Sequence, residues 1–336
     1  MMRYWLYGSL VCLLALTSCK KDDNQDEYVL NLPKGFPALS IPADNQLTHE
    51  RVQLGKLLFF DPRLSRDSSI SCSSCHLPEK AFSDVFAISP GVEGRKGFRN
   101  SPTLANIGYS TRFFMDGGVP TLELQVLAPI ADHNEMDFSL PALVERLIAD
   151  KNYQFMAKQA YGRDTLDVYC ITRALAAYER TLLSGNSPYD QYINDGSTTS
   201  LTPDEIRGMN LFFGKANCSK CHSGHTFTDY TFRNNGIYES YADSGRCRVT
   251  QLPEDRGKFK VPTLRNIALT APYMHDGSFS SLEDILEHYN TGGKNHPNKD
   301  PLVQPLNLSD QEKQDIIAFL RSLTDTEFIN DPSHLP

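Results

Sequence analysis

Two short stretches of the 336-residue chain concentrate groups that can do chemistry: Cys72-Ser73-Ser74-Cys75-His76 and Cys218-Ser219-Lys220-Cys221-His222. Each places two thiols close together and an imidazole directly after the second. That spacing lets both sulfurs add across the vinyl groups of one porphyrin while the histidine reaches the iron from the proximal side. Each stretch therefore reads as an attachment site for a c-type haem. Zinc is the competing use of two Cys-x-x-Cys pairs. The pairs lie roughly 140 residues apart, however, each in its own repeat and each followed by His, which a shared four-thiolate site does not call for. A thioredoxin-like dithiol would need a βαβ pattern around it, and none surrounds either motif.

The chain has eight cysteines. Residues 1–18 carry Arg3 ahead of an apolar run, Leu10 to Leu16, that is too short for a permanent membrane helix and reads as a signal peptide containing Cys12. Leu16-Thr17-Ser18-Cys19 matches a lipobox, so Cys19 is the expected lipidation site. The charged run from Lys20 to Glu27 has nothing to pack and makes residues 19–35 a solvated, lipidated tether. The expected location is outside the cytoplasm, lipid-anchored at the periplasmic face of an outer membrane or at the cell surface. In such an oxidising compartment Cys170 and Cys247 could pair. The net charge of −8 becomes −9 when Arg3 leaves with the signal, which argues against a nucleic-acid partner and suits a basic donor protein steered by charge.

The elements that must position the two motifs come as a repeat. Pro102-Thr103-Leu104-Ala105-Asn106-Ile107 matches Pro262-Thr263-Leu264-Arg265-Asn266-Ile267; at the same offset Asp116-Gly117 matches Asp276-Gly277, and Leu122-Glu123 matches Leu282-Glu283. Gly55-Lys56-Leu57-Leu58-Phe59-Phe60 matches Gly208-Met209-Asn210-Leu211-Phe212-Phe213, so a helix feeds each motif. Thr202-Pro203-Asp204-Glu205 is a capping box ahead of Ile206, Met209 and Phe213 on one face. Ser309-Asp310-Gln311-Glu312 opens a helix carrying Ile316, Phe319, Leu320 and Leu323, and Thr48 caps the corresponding helix of the first half. No long alternating run supports strands. The expected fold is all-α: two cytochrome c-like haem domains related by internal duplication, at 36–185 and 186–330, joined near Ser184-Gly185-Asn186-Ser187-Pro188.

With these motifs in place the chain resembles the bacterial di-haem cytochrome c peroxidases, and within them the MauG branch. The resemblance runs from Leu54-Gly55-Lys56-Leu57-Leu58-Phe59-Phe60-Asp61-Pro62-Arg63 through Arg99-Asn100-Ser101-Pro102-Thr103-Leu104 and Glu135-Met136. It continues through Phe259-Lys260-Val261-Pro262-Thr263-Leu264-Arg265-Asn266 to Thr270-Ala271-Pro272-Tyr273-Met274-His275-Asp276-Gly277. It implies that the N-terminal haem, held by Cys72, Cys75 and His76, meets peroxide beside Glu135 as acid/base and Gln125. The C-terminal haem, held by Cys218, Cys221 and His222, then transfers electrons. Ordinary members carry a blocking histidine in the stretch corresponding to Ser89–Gly97; this chain has none there, and His133 is the nearby candidate for a replacement. For the second haem, Met274, His275, His288 and Tyr289 compete as distal ligand. The motif alignment favours Tyr289 with Met274 as alternative, and a phenolate would favour ferric iron.

The resemblance also implies a calcium ion held by the Asn100 side chain and the carbonyls of Thr270 and Pro272. In place of the usual Trp-Asp-Gly between the haems stands Phe113-Phe114-Met115-Asp116-Gly117, and the only tryptophan, Trp5, is in the signal segment. The implied activity is reduction of hydrogen peroxide to water with electrons from a small cytochrome c or cupredoxin, by a chain that relatives suggest can form a homodimer. A MauG-like oxidase of a protein or small molecule, and a non-enzymatic electron-transfer cytochrome, are the rival readings.

Overall fold

The structure is a computed structural model and describes residues 27–336. The signal segment, Cys19 and Trp5 lie outside the described residues. Among the described residues no helix is long and apolar enough to cross a membrane.

The first half is built on α1 (His49–Phe60), α2 (Leu122–Gln125), α3 (Leu127–Ala131), α4 (Leu140–Ile148), α5 (Lys151–Tyr161) and α6 (Val168–Glu179). The second follows with α7 (Pro188–Asn194), α8 (Pro203–Phe213), β1 (Phe232–Arg233), α9 (Cys247–Thr250), β2 (Phe259–Lys260), α10 (Leu282–Asn290), α11 (Asp310–Arg321) and α12 (Thr326–Asn330). The expected caps form. Thr48 Oγ1 accepts from the Arg51 amide, and Thr202 with Glu205 and Ser309 with Glu312 close reciprocal capping boxes.

Each half centres on one crossed helix pair, α1 on α6 and α8 on α11. A Cβ on Gly55 would stand 1.9 Å from the Ala174 carbonyl oxygen, and one on Gly208 would stand 1.8 Å from that of Asp315. Only hydrogen fits at either crossing, which is the physical reason the Gly-x-x-x-Phe-Phe pattern recurs. The aromatic ends of these patterns pack alike: Phe59 meets Tyr178 and Phe212 meets Phe319, both with ring centroids 5.2 Å apart. Each such buried ring contributes roughly 1.5–3 kcal/mol.

The joint between the halves is buried and pinned from both sides. Asn106 Nδ2 donates to the Ser184 carbonyl at 2.8 Å and Asn266 Nδ2 to the Ser184 hydroxyl at 2.9 Å. These are equivalent residues of the two Pro-Thr-Leu-x-Asn motifs. Asp325 accepts from Ser184 Oγ and from the amides of Gly185 and Asn186. A buried backbone stretch with its polar groups satisfied this way is a rigid joint rather than a linker.

Two expectations need correction. The fold is mainly helical but not all-α: Phe232 pairs with Lys260 and Arg233 with Phe259 in a two-stranded antiparallel ribbon, and long irregular loops fill much of the rest. Two-residue strands carry no alternation that a sequence pattern could reveal. The packing does not respect a boundary at 330 either: Phe328 belongs to the first half's core and, with His334, packs on Phe82. The Cys170–Cys247 pairing that the sequence leaves open does not form: Cys170, wholly buried in the first core, and Cys247, in α9, are both free thiols.

Candidate functional site

Both Cys-x-x-Cys-His stretches fold as one 3-10 turn, Cys72–Ser74 and Cys218–Lys220, each followed by a bond from the His amide back to the first Cys carbonyl (3.0 and 2.9 Å). His76 Nδ1 lies 2.9 Å from the Phe82 carbonyl, and His222 Nδ1 lies 3.2 Å from those of Phe227 and Pro262. A carbonyl only accepts, so Nδ1 carries the proton and Nε2 keeps its lone pair. Burial holds both imidazoles below the usual histidine range, hence neutral. The Pro-Thr-Leu motifs brace the loops behind them: Thr103 Oγ1 donates to the Ala81 carbonyl, and Thr263 Oγ1 to that of Thr226.

The four thiols sit in two recesses. Each keeps some accessible surface yet is crowded by protein, and burial is the largest influence on all four, pushing Cys75 up to about 11, Cys218 up to about 12, and Cys72 and Cys221 upward as well. Neutral thiols are poor zinc ligands and poor redox nucleophiles. Among the described residues no group of three or more His, Cys, Asp or Glu side chains gathers as a metal site. Two unpaired thiols beside a neutral imidazole with a free Nε2, in a recess, are the donor set a c-type haem requires.

Gln125 ends α2 and Glu135 follows α3. Neither side chain makes a hydrogen bond within the described residues. Burial, with a smaller contribution from Asp132, pushes Glu135 up to about 7. By surface area, however, the residue is exposed. Accessible surface combined with close protein surroundings marks the wall of a recess, and crowding there sets the direction of the shift. The charge of Glu135 acts on both Cys72 and Cys75, tying it to the first recess. His133, the candidate replacement ligand, has both ring nitrogens engaged elsewhere. It is 68% exposed, with Nε2 taken by Arg95 at 3.2 Å and Nδ1 facing Asp137 at 3.3 Å.

At the second recess Tyr289, on α10, is pushed up to about 12, first by burial, with smaller contributions from Cys218 and Cys221. Asn235 lies beside its hydroxyl and also donates from Nδ2 to Met274 Sδ at 3.3 Å, so both candidate distal ligands meet at one amide. His288 Nε2 is spent on the Asn235 carbonyl at 2.9 Å. His275 stacks on Phe259 (centroids 4.0 Å, planes 21° apart) at the seam between the halves. In that seam Lys260 N donates to the Met115 carbonyl at 2.7 Å, and wholly buried Asp116 accepts from Arg99 (2.8 Å) and Arg248 (2.7 Å).

The calcium candidates lie in the same seam. The Asn100 amide N–H donates to the His275 carbonyl at 2.8 Å, and Asn100 Nδ2 donates to the carbonyls of Phe86 and Ala87, leaving Oδ1. The carbonyls of Thr270 and Pro272 accept no hydrogen bond among the described residues.

Some residues near the sites carried no signal in the sequence. Asn235 is one. Glu179, 4% exposed at the end of α6, is another: burial pushes it up to about 8, its Oε2 has no partner, and its charge acts on Cys72. Its position within Tyr178-Glu179-Arg180 reads as an ordinary helix end, and only the packing makes it a neutral acid beside the first recess.

Two histidine-backed recesses, each with a pair of free thiols, in a mainly helical chain of two joined units define a di-haem c-type cytochrome. Residues 49–198 match the di-haem cytochrome c peroxidase family and residues 205–324 the cytochrome c family. The chain is 37% identical over 324 residues to methylamine utilization protein MauG of Methylorubrum extorquens, covering 94% of this chain and 90% of that one. It is 35% identical to the cytochrome-c peroxidase IdrP1 of a Pseudomonas species, over 97% and 94% of the two chains. A crystal structure of a MauG-like protein associated with microbial copper homeostasis superposes with a TM-score of 0.87 at 35% identity, over 91% of this chain and 98% of that one. The di-haem peroxidase BthA from Burkholderia thailandensis gives 0.74 at 25% identity, over 90% and 94%. The chain belongs to the di-haem cytochrome c peroxidase and MauG family, and accordingly binds two c-type haems.

Proposed function

We propose that this protein reduces hydrogen peroxide to water at the first haem site, drawing electrons through the second from a small cytochrome c or cupredoxin. The observation that carries this reading is Glu135: a carboxyl with no hydrogen-bond partner, coupled to Cys72 and Cys75, beside a stretch, Ser89–Gly97, that holds no histidine. When bound, the haem would supply a redox-active, Lewis-acidic iron at which peroxide can be reduced. Glu135 takes a proton from the incoming peroxide and returns it to the departing oxygen, so that two electrons and two protons make two waters. A carboxyl near pH 7 is suited to both halves of that relay. Gln125 offers an amide to orient the peroxide. His76 and His222, each fixed by its Nδ1–H bond to backbone carbonyls, would hold the haem irons through Nε2.

We assign Tyr289 as the distal ligand of the second haem. A phenol pushed up to about 12 by burial ionises readily only beside a cation, which ferric iron would provide. Asn100 Oδ1 and the carbonyls of Thr270 and Pro272 are oxygen donors suited to calcium. The paired correspondences at Gly55/Gly208, Asn106/Asn266 and Thr103/Thr263 support an origin by internal duplication. Export and lipidation at Cys19 remain part of the proposal.

A MauG-like oxidase is the second reading, favoured by Tyr289 and the histidine-free Ser89–Gly97 stretch. Steady-state assays of the holoprotein separate the two. Rapid oxidation of reduced small c-type cytochrome by peroxide is the expected result. Peroxide consumption that proceeds only with another reductant would replace this function by the oxidase, and no consumption with any donor would leave an electron-transfer cytochrome.

A further inference from the structure

We propose that the segment Gly91–Arg95 is a clamp that fixes the backbone carrying Glu135, with Gly91 and Arg95 as positioning residues for its carboxyl. The proposal rests on reading Glu135 as the proton-transfer group.

Gly91 lies flat against the Asn134–Glu135 peptide. A Cβ there would stand 2.2 Å from the Asn134 carbonyl oxygen, 2.5 Å from that of Glu135 and 2.7 Å from the Glu135 Cα. All three atoms are backbone, so no side-chain rotation relieves the collision. From the next residue, Val92 N donates to the Glu135 carbonyl at 2.8 Å, while on the following peptide Arg66 N donates to the Met136 carbonyl at 2.9 Å.

The segment is itself closed into a turn. Gly91 N donates to the Arg95 carbonyl (2.8 Å) and Gly94 N to the Gly91 carbonyl (2.9 Å), with Glu93 and Gly94 in the left-handed region at φ 59° and 70°. Ion pairs then tie the turn to the far side of Glu135. Asp137 receives Arg95 Nη2 at 2.6 Å and Arg66 Nε at 2.9 Å, Glu93 receives Arg66 Nη2 at 2.5 Å and Arg95 Nη1 at 3.2 Å, and His133 bridges Arg95 and Asp137. Residues 133 to 137 are thus held at both ends and from beneath.

These ion pairs do not include the Glu135 carboxyl, whose shift comes first from burial and then from Asp132. The clamp therefore works through position. Ion pairs near the surface add little stability, whereas a proton-transfer group displaced by about 1 Å loses roughly 100-fold in rate.

The test uses the holoprotein and two readouts: stopped-flow reaction of the first haem with peroxide across pH 5–9, and hydrogen exchange of the Val92 amide. Gly91→Ala is expected to slow the reaction by roughly 100-fold, displace the pH inflection and speed Val92 exchange, with haem content unchanged. Arg95→Gln is expected to do the same to a lesser degree, partly restored by Arg95→Lys, and it carries the test if Gly91→Ala does not fold. Gly97→Ala, where a Cβ meets nothing within 4 Å, is expected to change neither readout.

In a Glu135→Gln background the two clamp substitutions should add no further loss, because they act through the group already removed. Equal losses in both backgrounds, or unchanged Val92 exchange in the clamp variants, would overturn the clamp. Glu135→Gln without effect on its own would instead overturn the reading of Glu135, and Val92 exchange would then decide the clamp by itself.

Discussion

Replacing Glu135 by Gln in the holoprotein is expected to slow its reaction with hydrogen peroxide by roughly 10²–10⁴-fold, the usual contribution of a positioned general acid–base group, while both haems stay attached. The pH profile should change with it. Glu135 is pushed up to about 7, so the basic form that deprotonates peroxide fills in as pH rises, and the wild-type rate should climb through an inflection near neutrality. The glutamine variant should have a flat profile there. The same shift has a stability sign. A carboxyl raised in the folded state holds its proton more tightly than in the unfolded chain. Folding stability from this group therefore declines as pH rises from its ordinary value toward 7, and Glu135→Gln should flatten that decline. Stopped-flow rates and thermal unfolding across pH check both parts; an unaltered inflection in the variant would mean another group relays the proton.

The second large effect is expected at Tyr289. Tyr289→Phe removes one oxygen and keeps the ring that α10 packs, so the fold should survive while the low-spin ferric spectrum assigned to the second haem changes and its reduction potential rises, since an anionic oxygen donor no longer favours the ferric state. Asn235 sits within reach of both Tyr289 and Met274, so Met274 is the residue poised to substitute. Met274→Leu alone should leave the resting spectrum as it is. The converse pattern, an unchanged spectrum in Tyr289→Phe and a changed one in Met274→Leu, would transfer the ligand role to the thioether. Optical and EPR spectra of the two ferric variants decide it.

Features encoded by short spacing are legible in the sequence, and features that depend on distant partners are not. The two Cys-x-x-Cys-His turns, the capping boxes at Thr202 and Ser309 and the Gly-x-x-x-Phe-Phe crossings each need only a few consecutive residues, and the structure gives them all a local physical role. The Pro-Thr-Leu-x-Asn repeats were visible as a pattern, but not as the pins that hold Ser184 from both sides. The ribbon of Phe232–Arg233 with Phe259–Lys260 is too short to alternate, and the return of Phe328 and His334 to the first core depends on contacts across most of the chain. At the sites, Asn235 and Glu179 have unremarkable neighbours in sequence. Only burial turns Glu179 into an acid pushed up to about 8, and only the loop fold sets Asn235 between Tyr289 and Met274.

We propose that the two haem sites are unequal, the first open beside Glu135 and the second closed by Tyr289. EPR of the resting, fully oxidised holoprotein tests it most directly. One high-spin and one low-spin ferric signal of comparable intensity, with the high-spin signal lost on adding peroxide, is the result expected. Two low-spin signals and no reaction with peroxide would contradict it.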